Sequence, residues 1–221
     1  MTQLGPAELA AIDPPYYYLD FETVATVLPL YDGHSCHQQV LTQFSVHHRE
    51  SLGGELQHSE YIADPAKDSE REVAEALIAA VGWRGSILVY TSFEAKRINA
   101  LRRRFPELAQ PLEAVLARLI DLHPLIRDNV YDPAFGGSFS IKSVLPALVP
   151  DLSYEHLEIR NGDVAVTRFA RIARGQISRD ESSIVLQQLL DYCRLDTFAM
   201  VRLHDVLEEL APRAHSRAVG Q

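Results

Sequence analysis

Two acidic residues close an apolar stretch near the start of the chain, and their spacing places them side by side. The stretch reads Tyr16-Tyr17-Tyr18-Leu19-Asp20-Phe21-Glu22-Thr23, which predicts a β-strand. Because side chains alternate along a strand, Asp20 and Glu22 share one face, while Phe21 points to the other. Neighbouring carboxylates repel and lose hydration when buried, so a cation is needed to offset them. Oxygen ligands suit Mg²⁺ or Mn²⁺, although two solvated acids at an exposed strand end have the same pattern.

A third acid, Glu94, is predicted to begin a helix with its side chain toward the core. It is spaced four, three and four residues along one helical face from Ile98, Leu101 and Phe105. Ser92 is the predicted N-cap of this helix. The preceding apolar run, 86–91, is typical of a buried parallel strand, and ligands bind beyond the carboxyl ends of such strands. The alternative is an acid that only complements the helix dipole.

The fourth acid, Asp196, lies within the apolar stripe of a long last helix, predicted over 181–210. Tyr192 precedes it by one turn on the same face. An unpaired carboxylate buried among apolar residues costs roughly several kcal/mol or stays protonated. Four inward carboxylates can neutralise two divalent cations, and such a pair stabilises both oxygens of a phosphodiester displacement. Tyr192 would then orient or deprotonate the attacking water.

The remaining pattern predicts an α/β domain with a mixed sheet, an antiparallel meander plus parallel strands, flanked by helices. Strands are expected at 41–48 and 56–62 around the Gly53-Gly54 turn, and at 119–122. A capping box at 69–72 predicts a helix ending at Gly82. Further helices are predicted at 113–118, from Ile141, and at 163–176. Asp121 is interpreted as a residue that ends a strand; the less favoured alternative is that it supports the metal-ligating acids. Residues 1–15 are interpreted as a loosely ordered lead-in, 16–211 as a single domain and 212–221 as a tail.

Composition narrows the class of protein. The chain has 221 residues, of which 47% are hydrophobic, and a formal net charge of −9, which argues against a protein that coats nucleic acid. No apolar run approaches the ~20 residues of a membrane span. No signal peptide is recognised, and Cys36 and Cys193 make no disulfide framework, so a cytoplasmic location is expected. A zinc site at His34, Cys36 and His37 is disfavoured, because no second ligand pair follows.

The order of these motifs resembles the tyrosine variant of the DEDD 3′–5′ exonuclease superfamily. The matching elements are Asp-x-Glu on the first strand, Ser92-Phe93-Glu94 at a helix start, and Tyr192-x-x-x-Asp196 on a late helix. The segments 140–146 and 192–197 are also similar to an uncharacterised bacterial family of unknown function assigned to that superfamily. The resemblance runs from about Tyr16 to Leu210.

The resemblance implies a ribonuclease H-like fold and a two-metal 3′–5′ exonuclease acting on single-stranded DNA or RNA. Asp20 would bridge two divalent cations, Mg²⁺ or Mn²⁺, with Glu22 and Asp196 on the ion that activates water. Glu94 would serve the second ion, although the superfamily usually has Asp there, and Tyr192 would position the water. Candidate substrate contacts are Phe21, Thr23, Arg97, Lys142 and Arg168, with Arg102, Arg103, Arg104 and Arg171 as further candidates for phosphate.

Two other functions stay open from sequence. A non-catalytic nucleic-acid-binding or assembly module of the same fold would keep the acids without turnover. An endonuclease of the same fold would cut circular substrates. No membrane association is expected, and the sequence does not identify protein partners.

Overall fold

A mixed five-stranded sheet with helices on both faces forms the protein in the computed structural model, which describes residue 9 and residues 11–211. The architecture is therefore α/β, as predicted. The predicted tail at 212–221 and most of the lead-in at 1–15 lie outside the described residues. Within the described part of the chain, no helix combines the length and the hydrophobicity needed to cross a membrane.

The strand that carries the first two acids is the centre of the sheet. The strands are β1 (Tyr16–Val24), β2 (Val40–Arg49), β3 (Gln57–Ile62), β4 (Ser86–Val89) and β5 (Leu119–Asp121), in the spatial order β3-β2-β1-β4-β5. Strands β1 to β3 are the predicted antiparallel meander, and β4 and β5 run parallel to β1. The β1–β4 pairing extends only to Tyr18 and Leu88, so Asp20 and Glu22 project past the end of that pairing.

Seven α-helices connect and cover the strands in the described residues. They are α1 (Glu70–Ala80), α2 (Phe93–Arg104), α3 (Ala109–Leu116), α4 (Leu122–Asn129), α5 (Ile141–Leu148), α6 (Gly162–Ala173) and α7 (Arg179–Leu210). One sheet face, with Leu19 and Phe21, packs on α1, α2 and α3. The other, with Tyr16 and Tyr18, packs on α4, α5 and the second half of α7. The acids of β1 share the second face, which brings them to α7.

Ser69 and Ser92 stand at the predicted N-cap positions of their helices, but neither side chain makes the expected capping hydrogen bond. Ser69 makes no capping hydrogen bond, and Asp68 instead accepts from the Glu70 backbone N–H at 3.2 Å. The Glu72 carboxylate pairs with Lys67, so the capping box is not formed. Ser92 makes no capping bond either, because its φ of −81° and ψ of 12° are not the extended geometry of a cap.

Asp121 terminates a strand, as predicted, and caps the next helix. Its Oδ1 accepts hydrogen bonds from the backbone N–H groups of His123 at 2.9 Å and Thr91 at 2.8 Å. Thr91 has φ of +96°, which is unusual for a β-branched residue. Asp121 therefore fixes the turn between β4 and α2, and with it the start of the helix that carries Glu94.

A buried polar network fastens α7 to the sheet. Arg49 of β2 donates from Nε to the Tyr18 hydroxyl at 3.0 Å and pairs with Asp205 of α7 at 2.6 Å. Because the Tyr18 oxygen accepts from Arg49, its own proton is free to go to His204 Nδ1, 2.9 Å away. Two strands and α7 are thus joined by directional bonds, which fixes the rotation of the helix that carries Asp196.

Candidate active site

Three carboxylates from two distant parts of the chain meet at one point. Asp20 and Glu22 come from β1, and Asp196 comes from α7. Each offers an oxygen that lies within 4.8 Å of the other two. The spacing of two along a strand puts the first pair on one face, and the apolar stripe of α7 turns the third toward them. The structure therefore brings together three of the four predicted acids.

Burial makes the charged forms of these acids unfavourable. The pKa of Asp20 is raised well above its usual range, first by burial and then by the charges of Asp196, Glu94 and Glu22. Burial also raises the pKa of Glu22 to about 8, and the charge of Asp196 adds to the shift. Burial raises the pKa of Asp196 to about 6, against the hydrogen bond from Tyr154 and the charge of Lys142. A cluster of buried acids of this kind favours a positively charged partner at neutral pH.

Glu94 lies near the three acids but outside their group. Its side chain is 2% exposed, and its Oε2 has no hydrogen-bond partner in the described structure. Burial raises its pKa to about 8, and the nearby charges of Asp121, Glu22 and Asp196 add to the shift. A helix-dipole role explains an acid in a first turn, but not one that is buried with an unpartnered oxygen. Glu94 thus offers a carboxylate to the same region from a separate position.

A lysine and two tyrosines surround the acids. Lys142 Nζ, from the first turn of α5, donates to the Tyr192 hydroxyl at 2.9 Å and to the Arg160 carbonyl at 2.7 Å. The Tyr154 hydroxyl donates to Asp196 Oδ1 at 2.5 Å. Burial raises the pKa of Tyr192, and the charges of Asp196, Glu22 and Asp20 raise it further. Tyr192 is therefore a neutral phenol beside the carboxylates.

Cys193 of α7 contacts the Asp20 carboxylate of the site. Its thiol is fully buried and lies 3.3 Å from Asp20 Oδ2, within reach of an S–H hydrogen bond. Burial, followed by the charge of Asp20, raises the pKa of the thiol. Cys193 is therefore a neutral donor to Asp20 and not a nucleophile.

A cavity of about 450 Å³ opens over this cluster. Its walls are Asp20, Glu22, Tyr90, Thr91, His123, Ser140, Ile141, Lys142, Tyr192, Asp196 and Met200. The volume lies in the range of small-ligand sites. Lys142 and His123 are its basic side chains. The Tyr90 hydroxyl donates to the Phe139 carbonyl at 2.7 Å, which ties the floor of the cavity to the loop before α5.

The predicted substrate contacts separate into two groups. Lys142 lines the cavity, whereas Phe21, Thr23, Arg97 and Arg168 do not. Phe21 is 3% exposed and packs in the core on the opposite sheet face. Thr23 follows a register shift in the β1–β2 pairing, which takes it out of the alternation that places the acids. The Arg97 guanidinium lies over the Phe93 ring, with 5.8 Å between the guanidinium carbon and the ring centre.

Several other candidate residues already have partners. Arg102 pairs with Glu113, and Arg104 pairs with Glu70 and Asp68. His34, considered above as a zinc ligand, lies with its Nε2 2.8 Å from an oxygen of Asp68.

Sequence reasoning missed Tyr154 and Cys193. Tyr154 lies in the irregular segment between α5 and α6, where no periodicity assigns a face to any side chain. Cys193 follows Tyr192 directly, so its contact with the strand depends on how α7 crosses β1. Asp191 is another acid on this helix, but it lines a different cavity on the opposite side of α7.

Comparison with known proteins relates the chain to a bacterial protein and to a domain family. An uncharacterised protein of Ureaplasma parvum, UU173, is 24% identical over 219 residues, which cover 89% of this chain and 32% of the relative. The chain thus spans about a third of the length of that curated relative. A family model described as a domain of unknown function, DUF2779, matches residues 17–140. This segment holds Asp20, Glu22 and Glu94 and ends before α7. Since the match covers more than half of the chain, the protein belongs to the DUF2779 family.

Proposed function

We propose that this protein is a metal-dependent 3′–5′ exonuclease that hydrolyses single-stranded DNA or RNA. The observation that carries the proposal is the convergence of Asp20, Glu22 and Asp196 within 4.8 Å, in a cavity that also holds a lysine–tyrosine pair. The proposal includes membership of the DEDD superfamily in its tyrosine variant. A mixed sheet flanked by helices is consistent with a ribonuclease H-like fold. Other α/β folds share this architecture.

The residues present fit a hard divalent cation. Their donor atoms are carboxylate oxygens, which suit Mg²⁺ or Mn²⁺, and their burial without a sufficient positive charge favours a cation. Asp20, Glu22 and Asp196 would hold one ion, and Glu94 with its unpartnered Oε2 would contribute to a second. Such ions, when bound, stabilise charge on phosphate oxygens and lower the pKa of a water molecule.

Tyr192 and Lys142 have distinct roles in this proposal. Because burial raises its pKa, Tyr192 keeps its proton and orients the attacking water by hydrogen bonding. Lys142 holds the Tyr192 oxygen at 2.9 Å, which fixes the phenol relative to the acids. An ammonium has three N–H groups, and two of those of Lys142 are bonded to protein. The third is available to an oxygen of the scissile phosphate.

One assay tests the activity, its direction and its substrate together. We expect 5′-labelled single-stranded DNA or RNA to shorten from the 3′ end with Mg²⁺ or Mn²⁺ and to stay intact with chelator. Asp20→Asn should lose the activity, because it removes one charge from the cluster and keeps the shape. Asp32→Asn, at an exposed loop position, is the matched control and should cleave normally.

The other outcomes identify the alternatives. Divalent-ion binding without hydrolysis would identify a non-catalytic nucleic-acid-binding module. Cleavage of circular single strands would identify an endonuclease. Full activity of Asp20→Asn would refute the assignment of the site. The cytoplasmic location stays a prediction.

A further inference from the structure

A second cavity, of about 510 Å³, lies on the other side of α7 from the acids. We call it the histidine cavity; its walls are His47, Leu56, His58, His156, Leu157, Asp191, Arg194, Leu195 and Phe198. It shares no lining residue with the cavity over the acids. The side chains of α7 that line it follow the face opposite Tyr192 and Asp196. The proposed exonuclease chemistry uses none of these residues.

Hydrogen bonds behind the cavity wall favour one set of proton positions on two of its histidines. The arrangement that satisfies all of these bonds has Thr197 Oγ1 donating its single proton to the Arg194 carbonyl at 3.0 Å and accepting from its other neighbours. These are Ser45 Oγ and His47 Nδ1, each 2.8 Å away. In that arrangement Ser45 gives its own proton to Thr197, and His58 Nε2, 2.9 Å from Ser45 Oγ, is the donor to Ser45.

This assignment leaves one lone pair on each ring without a protein partner. His47 carries its proton on Nδ1 and His58 on Nε2, so His47 Nε2 and His58 Nδ1 are acceptors. Neither makes a hydrogen bond within the described part of the chain. Burial, followed by neighbouring positive charge, lowers the pKa of His47 to about 3 and that of His58 to about 4. Both rings are therefore neutral at physiological pH and offer the cavity only acceptors.

The rest of the wall combines one arginine and one aspartate with apolar and aromatic surface. The exposed Arg194 guanidinium makes no ion pair or hydrogen bond with the described residues. The His47 ring centre lies 4.4 Å from that of His58 and 5.8 Å from that of Phe198, and three leucines complete the wall. The Asp191 carboxylate accepts from Gln187 at 3.0 Å. A ligand that matches this wall is planar, carries N–H donors and bears an anionic group.

We propose that the histidine cavity binds a nucleotide, with an amino-bearing base at His47 and His58 and the phosphate at Arg194. Arginine is a preferred partner of phosphate, and a base can stack on the aromatic rings. A metal fits less well, because the Arg194 guanidinium places a positive charge on the wall beside the Asp191 carboxylate. The group of metal-ligating side chains found among the described residues is the acid cluster, not these histidines. The site does not depend on the proposed exonuclease activity.

Nucleoside monophosphates titrated into the full chain by calorimetry, in chelator, test the site apart from the acid cluster. We expect GMP, AMP and CMP to bind, and UMP to bind at least about tenfold more weakly. The reason is that uracil has a single N–H flanked by two carbonyl oxygens, which would face the imidazole lone pairs. Arg194→Gln should weaken the binding of GMP by about tenfold or more and leave the binding of guanosine unchanged. Arg179→Gln, an exposed arginine at the start of the same helix, is the matched control.

A tetranucleotide distinguishes the two sources of the ligand. If the site holds one unit of a strand, the tetranucleotide binds more tightly than GMP, and Arg194→Gln weakens both. If it holds free mononucleotide, the tetranucleotide gains nothing over GMP. The proposal is overturned if no nucleotide binds up to about 1 mM, if UMP binds as well as GMP, or if Arg194→Gln has no effect. In a separate titration without chelator, binding of Zn²⁺ that is lost in His58→Leu would also overturn it. Because the nucleotide titrations contain chelator, their results are independent of whether the acid cluster hydrolyses nucleic acid.

Discussion

At the scale of single residues, the structure gives different contacts, and therefore different expected roles, to the two tyrosines of the site. Tyr192 is bonded to Lys142 and faces the carboxylates, whereas Tyr154 donates directly to Asp196 Oδ1. Tyr192 lines the cavity and can act on water or phosphate, whereas Tyr154 is not among the cavity-lining residues and acts through the carboxylate that it holds. Groups that orient a metal-ligating carboxylate typically change metal affinity by about 10- to 100-fold. A general acid–base or orienting group typically changes the rate by about 10²- to 10⁴-fold.

The two tyrosines should therefore fail in different ways when each loses its hydroxyl. We expect Tyr192→Phe to lower kcat by about 10²- to 10⁴-fold with an unchanged Mg²⁺ requirement. Tyr154→Phe should raise the Mg²⁺ concentration for half-maximal activity by about 10- to 100-fold and recover at saturating metal. Thermal shift against Mg²⁺ reports the same change in affinity without turnover. Tyr131→Phe, on an exposed tyrosine, should match wild type. The opposite assignment of the two effects would contradict these roles.

Glu94 is the residue at which the proposed second ion can be tested. Its carboxylate is buried but lies outside the group formed by the other three acids. Glu94→Gln keeps the shape and removes the charge, so we expect a higher metal requirement and a lower rate at saturation. Glu94→Asp shortens the arm by about one bond, and a misplacement of ~1 Å can cost about 10²-fold. Normal cleavage by Glu94→Gln across a metal titration would leave Glu94 as a helix-start charge only.

At the scale of elements, α7 determines whether the site exists. It carries Tyr192, Cys193 and Asp196 on the side of β1, and Arg194 and Phe198 on the side of the histidine cavity. A rotation of this helix by one residue would move Asp196 away from the strand acids. The Arg49, Tyr18 and His204 network opposes such a rotation, because its bonds are buried and directional.

Among the polar contacts of α7, this buried network should contribute most to the free energy of unfolding. Arg49 is 4% exposed, and its replacement by Ala leaves buried polar groups without a partner. We expect Arg49→Ala to lower the free energy of unfolding by about 2–4 kcal/mol. Arg202→Ala, which breaks the exposed pair of Arg202 with Asp151, should cost about 0–1 kcal/mol. Urea unfolding of both variants measures the difference. Equal losses would show that the network contributes no more than a surface ion pair.

At the scale of the whole molecule, the acid cluster makes the metal-free protein sensitive to pH. Glu22 has a folded-state pKa of about 8, above its usual 4.5, so the folded state binds more protons than the unfolded state between these values. Stability therefore falls as pH rises through this window. Histidines whose pKa is lowered by burial act in the opposite direction below about pH 6.5. A comparison with a variant at Glu22 removes this second contribution.

Glu22→Gln should therefore gain stability over wild type as pH rises from 5 to 8. Each pKa unit corresponds to about 1.4 kcal/mol, and each kcal/mol shifts Tm by about 2–4 °C for a chain of this size. We expect the difference in Tm, measured in chelator, to grow by several degrees across the window. Saturating Mg²⁺ should raise the Tm of wild type at pH 8 more than that of the variant. A difference in Tm that is constant with pH would show that Glu22 titrates normally.

The sequence by itself determined the secondary structure that carries the site. Asp20 and Glu22 are two apart on an apolar strand, and Asp196 interrupts an apolar stripe, so local periodicity alone turns them inward. It also predicted the meander, the parallel strands and α7. The sequence placed Ser69 and Ser92 correctly at the helix starts, but not their hydrogen bonds, because Asp68 and Thr91 accept from the first backbone N–H groups instead.

Only the tertiary structure decided which side chains meet across the chain. Asp20 and Asp196 are 176 residues apart, and their meeting depends on the crossing of α7 over β1. Glu94 is inward, as its periodicity predicts, yet its distance from the other acids follows from the turn held by Asp121. Tyr154 and the histidine cavity have no local pattern at all, because loop residues and opposite faces of a helix are brought to a site only by packing. Periodicity fixes the direction of a side chain within its own element, whereas distances between elements are fixed by long-range contacts.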